Sequence, residues 1–130
     1  MKDIDESISL INKIVFEIEV FGATFDLRTI TFNETQIFMV TERSLFLDPD
    51  QIPPYEGMTK AEFLNGLRGL HLGEWQGEYN NYAVFDGTQW SLEIYFSNKR
   101  EPAKFSGSNA FPDNFKELLR LVDCESGDYL

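Results

Sequence analysis

The chain has 130 residues, 42% of them hydrophobic and 15% aromatic, which suits one domain with one packed core. Its 22 acidic and 11 basic residues give a formal net charge of −11, and a field of that sign repels phosphodiester backbones and anionic lipid surfaces. We therefore expect no nucleic acid and no membrane among its partners. A neutral or basic protein surface, or a cationic ligand, suits this balance, although excess acid is also an ordinary solubility device.

Cysteine usage and the first residues bear on the compartment. The single cysteine, Cys124, excludes an intrachain disulfide, and a lone thiol is more typical of a reducing compartment than of secretion. The stretch MKDIDESISL carries acids where a signal peptide needs positive charge, and no apolar run is long enough to span a bilayer. We expect a cytoplasmic protein.

The first part of the chain predicts three consecutive strands. Residues 14–21 alternate between apolar and mixed positions, the period of a half-buried strand. Residues 24–32 predict a second strand, whose apolar phase slips near Arg28 and Thr29, so we expect a bulge there. A turn at residues 33–34 leads to a third strand at 35–42, whose mixed faces predict cover on both sides.

A loop and a helix follow. Residues 48–57 hold three of the five prolines, which predicts the longest loop. Thr59 and Glu62 have the spacing of a capping box, and a helix is predicted from there to about His71. Gly66 and Gly69 weaken that helix unless they allow close approach of another backbone. Its buried stripe is expected to be Phe63, Leu64, Leu67 and Leu70.

The remaining elements complete an α+β fold. Residues 81–85 predict a short strand ending in an Asp–Gly hairpin turn, residues 90–96 a central strand, and residues 102–105 an edge strand. The apolar positions Phe115, Leu118, Leu119 and Val122 mark a last helix. We therefore expect a single α+β domain over residues 1–130, with about six mostly antiparallel strands and two helices packed on one face.

The stretch FSGSNAFPDNF, residues 105–115, has the layout of an anion-binding loop at a helix start. Its glycines are too few for a nucleotide fingerprint, and Asp113 already places a carboxylate beside the free amides. We favour a hinge in which Gly107 permits the bend, Asn109 bonds neighbouring backbone and Pro112 fixes the first helical turn.

No set of residues predicts catalysis or metal binding. His71 is the single histidine and, with Glu74 nearby, a candidate general base, but its place near a helix end needs no catalytic explanation.

The other candidate groups are equally weak. Acidic neighbours make Cys124 a poor nucleophile, because they raise the pKa of its thiol. Glu17 and Glu19 share a strand face at a glycosidase-like spacing, although alternate acids on a solvated face are far commoner. The acids within residues 48–57 miss the calcium-loop pattern. We expect no catalytic, cofactor or metal residues.

The more informative cluster is residues 73–90, which combines aromatic side chains with Gly and Asn. By alternation Trp90 belongs to the core, whereas Trp75 and Tyr79 lie outside the predicted strands and could line a groove. Packing of Trp75 in the core is the competing interpretation. The candidate partner-binding residues are Trp75, Tyr79, Tyr82, Glu17 and Glu19.

Three stretches carry a likeness to known sequences: FLNGLRGLHLGEW, YNNYAVFDGTQWSLEIYFSN and KFSGSNAFPDNFKELL. Together they resemble a group of small uncharacterised bacterial proteins with the same order of elements, over roughly residues 58–122. Phe111 stands where that group more often has Tyr. The resemblance implies a bacterial origin and a shared fold, and it assigns no catalytic residue.

These observations favour a non-enzymatic cytoplasmic module of the immunity, inhibitor or adaptor type, which binds a protein, possibly basic, through an acidic and aromatic face. The alternative is a small-molecule binding domain or weak hydrolase with a pocket near His71, Glu74 and Trp75. Convergence of those three residues on a pocket of a few hundred Å³, with shifted pKa values, would favour the alternative. A third possibility is a homo-oligomer that pairs through an open sheet face.

Overall fold

The computed structural model describes residues 3–20, 24–43, 58–81 and 87–122, and these ranges form one sheet with helices. The strands are β1 (Ile11–Val20), β2 (Thr24–Phe32), β3 (Ile37–Arg43), β4 (Glu78–Asn80), β5 (Thr88–Phe96) and β6 (Ala103–Ser108). The helices are α1 (Asp3–Glu6), α2 (Lys60–Gly69) and α3 (Phe115–Leu121), with short 3-10 turns at Ile8–Leu10 and Leu72–Glu74. The predicted α+β class is confirmed.

The six strands lie in the order β3-β2-β1-β5-β6-β4. Every neighbouring pair is antiparallel except β4 and β6, which run parallel. The predicted central position of residues 90–96 is therefore confirmed. The prediction of an edge strand at residues 102–105 is wrong, because β4 pairs with the far side of β6 and itself forms the edge.

Some predictions fall on residues outside the described ranges. These residues are 82–86, which make up most of another predicted strand, together with residues 44–57 and Cys124.

The bulge predicted in β2 is absent from the described pairing. The register between β1 and β2 runs without interruption from Lys13 opposite Thr31 to Val20 opposite Thr24. The apolar phase slips for another reason: Asp26 and Arg28 occupy core-facing positions as a buried ion pair, with 3.0 Å between Arg28 Nη1 and Asp26 Oδ1. The register irregularity lies instead at the start of β1, against β5.

Helices α2 and α3 pack on the same face of the sheet, as predicted. Phe63 of α2 lies against Phe32 of β2, with ring centroids 5.7 Å apart, and Phe115 of α3 lies 6.2 Å from Phe16 of β1. Burial of each such side chain contributes about 1.5–3 kcal/mol. The strand residues buried under the helices include Ile14, Phe16, Ile18, Ile30, Trp90, Leu92, Ile94 and Phe105.

Local signals in α2 behave as the sequence indicates. The Thr59 hydroxyl accepts the Glu62 backbone N–H at 3.2 Å, and the Glu62 carboxylate accepts the Thr59 N–H at 3.3 Å, which confirms the capping box. A Cβ placed on Gly66 would lie 2.6 Å from Leu121 Cδ1, so Gly66 allows α3 to approach closely. The same test at Gly69 meets no atom within 4 Å, so close approach explains Gly66 alone.

The opposite face of the sheet carries the side chains that alternate with the core, among them Glu17 and Glu19. On β3, Ile37 is buried, whereas Phe38 and Val40 are 50% and 61% exposed. The prediction that this strand is covered on both sides is therefore wrong. Within the described ranges, no helix combines the length and the apolar character needed to cross a bilayer.

Candidate binding cleft

A reversal of the chain at the end of α2 forms one rim of a cleft. His71 follows the helix in the left-handed conformation, with φ of 51°, and its N–H donates to the Arg68 carbonyl at 3.2 Å. The 3-10 turn that follows buries Leu72 and leaves Glu74 exposed. The turn therefore presents an imidazole and a carboxylate to solvent while anchoring itself through an apolar residue.

Asn114 joins this rim to the segment before α3. Its Nδ2 donates to the Leu70 carbonyl at 2.7 Å, and its Oδ1 accepts the indole N–H of Trp75 at 3.0 Å. Asn114 occupies the N-cap position of α3 but makes no side-chain cap there. Its amide instead satisfies one free carbonyl at the end of α2 and one buried indole donor, and so fixes the distance between the two rims.

Aromatic rings form the base of the cleft. Trp75 contacts Trp90 and Phe105 edge to face, with centroids 6.2 and 5.5 Å away, and Tyr79 lies 6.1 Å from Trp90. On the other side, Phe111 packs 4.9 Å from Phe115 of α3. The Tyr79 hydroxyl accepts the backbone N–H of Gln76 at 2.9 Å. These contacts hold the rings in one arrangement before any ligand arrives.

The cleft between these elements has a volume of about 500 Å³, within the range typical of ligand sites. Its exposed polar side chains include His71, Glu74 and Asp113. No lysine or arginine is among the lining residues, so the fixed charges that face the space are carboxylates. The lining residues are Leu70, His71, Glu74, Trp75, Gln76, Tyr79, Phe111, Pro112, Asp113 and Asn114.

The structure brings some of the predicted site residues together and separates others. Trp75 and Tyr79 both line the cleft. Because Trp75 is only 8% exposed, most of its side chain packs in the core while one part reaches the wall of the cleft. Glu17 and Glu19 lie on the open face of the sheet, away from this group. Tyr82 lies outside the described residues.

The structure also places the three residues of the alternative pocket predicted from the sequence. His71, Glu74 and Trp75 converge on one space of a few hundred Å³, which is the geometry that the small-molecule alternative requires. Among the described residues, no group of three or more His, Cys, Asp or Glu side chains is placed to hold a metal ion.

Sequence reasoning missed the second wall of the cleft, which Phe111, Asp113 and Asn114 form. An Asn directly before an apolar helix pattern signals an N-cap, but here the side chain bonds to a carbonyl 44 positions earlier in the chain. No periodicity or short motif records a contact of that separation.

The stretch 105–115 behaves as a junction between strand and helix. Asn109 takes the left-handed conformation, with φ of 57°, and its Oδ1 accepts the Thr88 N–H at 2.8 Å. The Asn109 side chain does bond to backbone, but its partner lies at the start of β5 and not, as the sequence predicts, in the neighbouring stretch of chain. Gly107 lies within β6, where the Trp90 indole leaves no room for a Cβ. The helix begins at Phe115, three residues after Pro112, so Pro112 precedes the first turn of the helix and does not form it.

Two smaller spaces have a different character. One, of about 440 Å³, lies on the open face and is lined by Glu78, Glu93 and Lys104, so its charges partly cancel. The other, of about 250 Å³, lies between α2 and α3 beside Gly66 and Gly69. Of these three spaces in the described part of the chain, the first combines ring surfaces with uncompensated carboxylates.

Comparison with known proteins leaves the cleft as the main guide to function. No protein-family model, no curated protein and no solved structure matches the chain.

Proposed function

We propose that the protein is a non-enzymatic interaction module, of the immunity, inhibitor or adaptor type, whose cleft between residues 70–79 and 111–114 recognises another protein. The observation that carries this proposal is the composition of the cleft wall: preorganised rings beside the Glu74 and Asp113 carboxylates, with no cation among the lining residues. Rigid aromatic surface rimmed by charge is typical of the centre of a protein interface.

The lining residues favour binding over catalysis. They include no Ser, Thr, Cys or Lys that could act as a nucleophile, and the Tyr79 hydroxyl already accepts a backbone N–H from Gln76. Asn114 holds its two partners as a structural bridge. Apart from the His71 imidazole, the Tyr79 hydroxyl and the two carboxylates, the lining offers a guest no side chain to react with.

Charge and the single cysteine suit this role in the cytoplasm of a bacterium. A net charge of −11 accelerates encounter with a basic partner and slows it with an acidic one. Glu17 and Glu19, on the opposite face of the sheet, add to that field without lining the cleft.

The experiment is a pull-down from bacterial lysate at low and high salt, with cleft variants as the criterion. Wild-type protein is compared with the double variant Glu74→Gln and Asp113→Asn, which keeps size but removes both carboxylate charges. The matched control is Glu34→Gln with Glu101→Gln, two exposed acids outside the cleft. A partner lost with the cleft variant and kept with the control supports the proposal. The proposal is contradicted if the cleft variant captures the same partner as the wild type, or if no partner is captured at either salt concentration.

The second candidate function is binding or slow hydrolysis of a small molecule in the same cleft, favoured by the convergence of His71, Glu74 and Trp75. Its test is turnover of p-nitrophenyl acetate by wild-type protein and by His71→Asn. A rate above the buffer control that falls at least about tenfold in the variant would favour this candidate. Equal rates in the two proteins would exclude hydrolysis that depends on His71.

A further inference from the structure

We propose that the group seated in the cleft is the guanidinium of an arginine side chain carried by the partner protein. This rests on the proposed function, and it adds the chemistry that the partner must present.

Charge selects a cation. Glu74 and Asp113 are both exposed and both line the cleft, and no lysine or arginine lines it with them. A cation that enters this space meets two carboxylates and no fixed positive charge from a lysine or arginine.

Hydrogen-bonding capacity selects a guest that only donates. The Trp75 indole N–H is already bound to Asn114, so this ring offers surface and no free donor. The charged acceptors among the lining residues are the carboxylates of Glu74 and Asp113, and the exposed amide of Gln76 adds one neutral acceptor and its own donors. A guanidinium carries five N–H donors and no acceptor, so it fits this set without leaving a group of its own unsatisfied.

Shape selects a flat cation over a compact one. The two carboxylates belong to separate elements, the turn Leu72–Glu74 and the segment before α3, which the Asn114 bridge holds together. The rings of Tyr79 and Phe111 line the same space as the two carboxylates. A guanidinium stacks on such rings and is weakly hydrated, whereas an ammonium is compact and strongly hydrated. Because the walls are preorganised, little entropy is lost when the guest enters.

The test titrates 15N-labelled protein with blocked alanine–X–alanine tripeptides, where X is arginine, lysine or citrulline, and follows amide shifts. Citrulline keeps the length and the flat urea of the side chain but removes its charge. We expect the arginine peptide to shift the amides of residues 71–76 and 113–114, and to bind at least about tenfold more tightly than the lysine peptide. The citrulline peptide should not bind measurably. Equal binding of lysine or citrulline, or shifts confined to other residues, would overturn the assignment.

Variants and a free guanidinium complete the design. The variant Glu74→Gln with Asp113→Asn should weaken the arginine peptide at least about tenfold, since both charge partners are gone, whereas Glu34→Gln with Glu101→Gln should leave it unchanged. Butylguanidinium carries the same single guanidinium charge without a peptide, and we expect it to bind within about threefold of the arginine peptide, because the guanidinium supplies the contacts. If butylguanidinium binds and the arginine peptide does not, the guanidinium does not come from a protein partner.

The two proposals can fail separately. If a captured partner depends on Glu74 and Asp113 but the cleft does not prefer arginine over lysine, the interaction module stands and the guanidinium assignment is wrong. If the arginine peptide binds as expected but the cleft variant captures the same proteins as the wild type, the proposed protein partner is wrong, and the cleft takes its guanidinium from another source.

Discussion

Asn114 is the single residue on which the geometry of the cleft depends most. It accepts from Trp75 and donates to the Leu70 carbonyl, so its removal leaves two partly buried groups without this partner. We expect Asn114→Ala to lower the free energy of unfolding by about 2 kcal/mol, measured by urea denaturation followed by circular dichroism. Asp113→Ala, the exposed neighbour, should change it by less than about 0.5 kcal/mol. Equal stabilities for the two variants would show that the bridge carries no net energy.

Tyr95 provides a prediction about pH. Its hydroxyl donates to the Glu93 carboxylate, and that hydrogen bond, followed by burial and by the charge of Glu93, raises the pKa of Tyr95 above 10.0. The folded state therefore favours the protonated phenol. The resulting stabilisation is fully present below the ordinary Tyr pKa and is lost as pH rises through the raised folded value.

Tyr95 should therefore titrate late in NMR spectra of its ring, and Glu93→Gln should move its midpoint to lower pH. In Tyr95→Phe, the fall in unfolding free energy above pH 10 should be smaller than in the wild type. An unchanged midpoint in Glu93→Gln would show that the negative charge of Glu93 does not cause the shift.

At the scale of elements, two glycines in α2 offer a matched pair. Gly69→Ala meets no neighbouring atom, so we expect the usual gain in helix stability of about 0.5–1 kcal/mol. Gly66→Ala places its new methyl against Leu121 Cδ1, so part or all of that gain should be lost as Leu121 shifts. Urea denaturation of both variants measures the difference, and equal gains would show that α3 moves aside without cost.

The buried ion pair connects β2 to the end of α3. Arg28 is 1% exposed, pairs with Asp26, and donates from Nε to the Val122 carbonyl at 3.1 Å. We expect Arg28→Met to lower the unfolding free energy by about 3–5 kcal/mol, because it leaves the Asp26 carboxylate buried without its ion-pair partner. The double variant with Asp26→Leu should recover much of that loss in the same denaturation experiment. A double variant as unstable as the single one would mean that the bond to Val122 is the important contact.

Elements with a regular local pattern are the ones that the sequence predicts. Alternation identifies β1 and β5, and the Thr59–Glu62 spacing identifies the start of α2. The bulge predicted in β2 is wrong because Asp26 and Arg28, although charged, face the core as a pair. A charged residue paired with another inside a core is indistinguishable in sequence from one facing solvent.

The candidate site divides in the same way. The sequence predicts a pocket near His71, Glu74 and Trp75, and separately an aromatic cluster that includes Tyr79. That both sets line one cleft depends on folding. Asp113 and Asn114 reach the cleft only because α3 packs over the sheet beside α2. Contacts between residues some forty positions apart leave no periodic trace, so the second wall required the structure.

At the scale of the whole molecule, apolar residues at the sheet edge and the net charge oppose one another. Phe38 and Val40 of β3 are largely exposed and favour pairing of two copies, whereas a charge of −11 on each copy repels the approach. Salt weakens that repulsion, since the Debye length falls from about 10 Å at 0.1 M to about 3 Å at 1 M.

We therefore expect a monomer near 0.1 M salt and concentration-dependent dimers near 1 M, measured by light scattering across concentration. The variant Val40→Lys should reduce the dimer at high salt, because it removes exposed apolar surface and adds a charge at the proposed contact. Glu101→Gln, an exposed change elsewhere, serves as the control. Dimers at low salt, or dimers unaffected by Val40→Lys, would place self-association on another surface.

The edge-to-face contact between Trp75 and Trp90 has a practical consequence. The chain contains two tryptophans, and they lie together at the base of the cleft, with Trp75 among its lining residues. Selectively excited tryptophan emission of the unlabelled protein therefore originates at the proposed recognition site. The wavelength and intensity of that emission will report binding of a ligand in the cleft, without an attached dye.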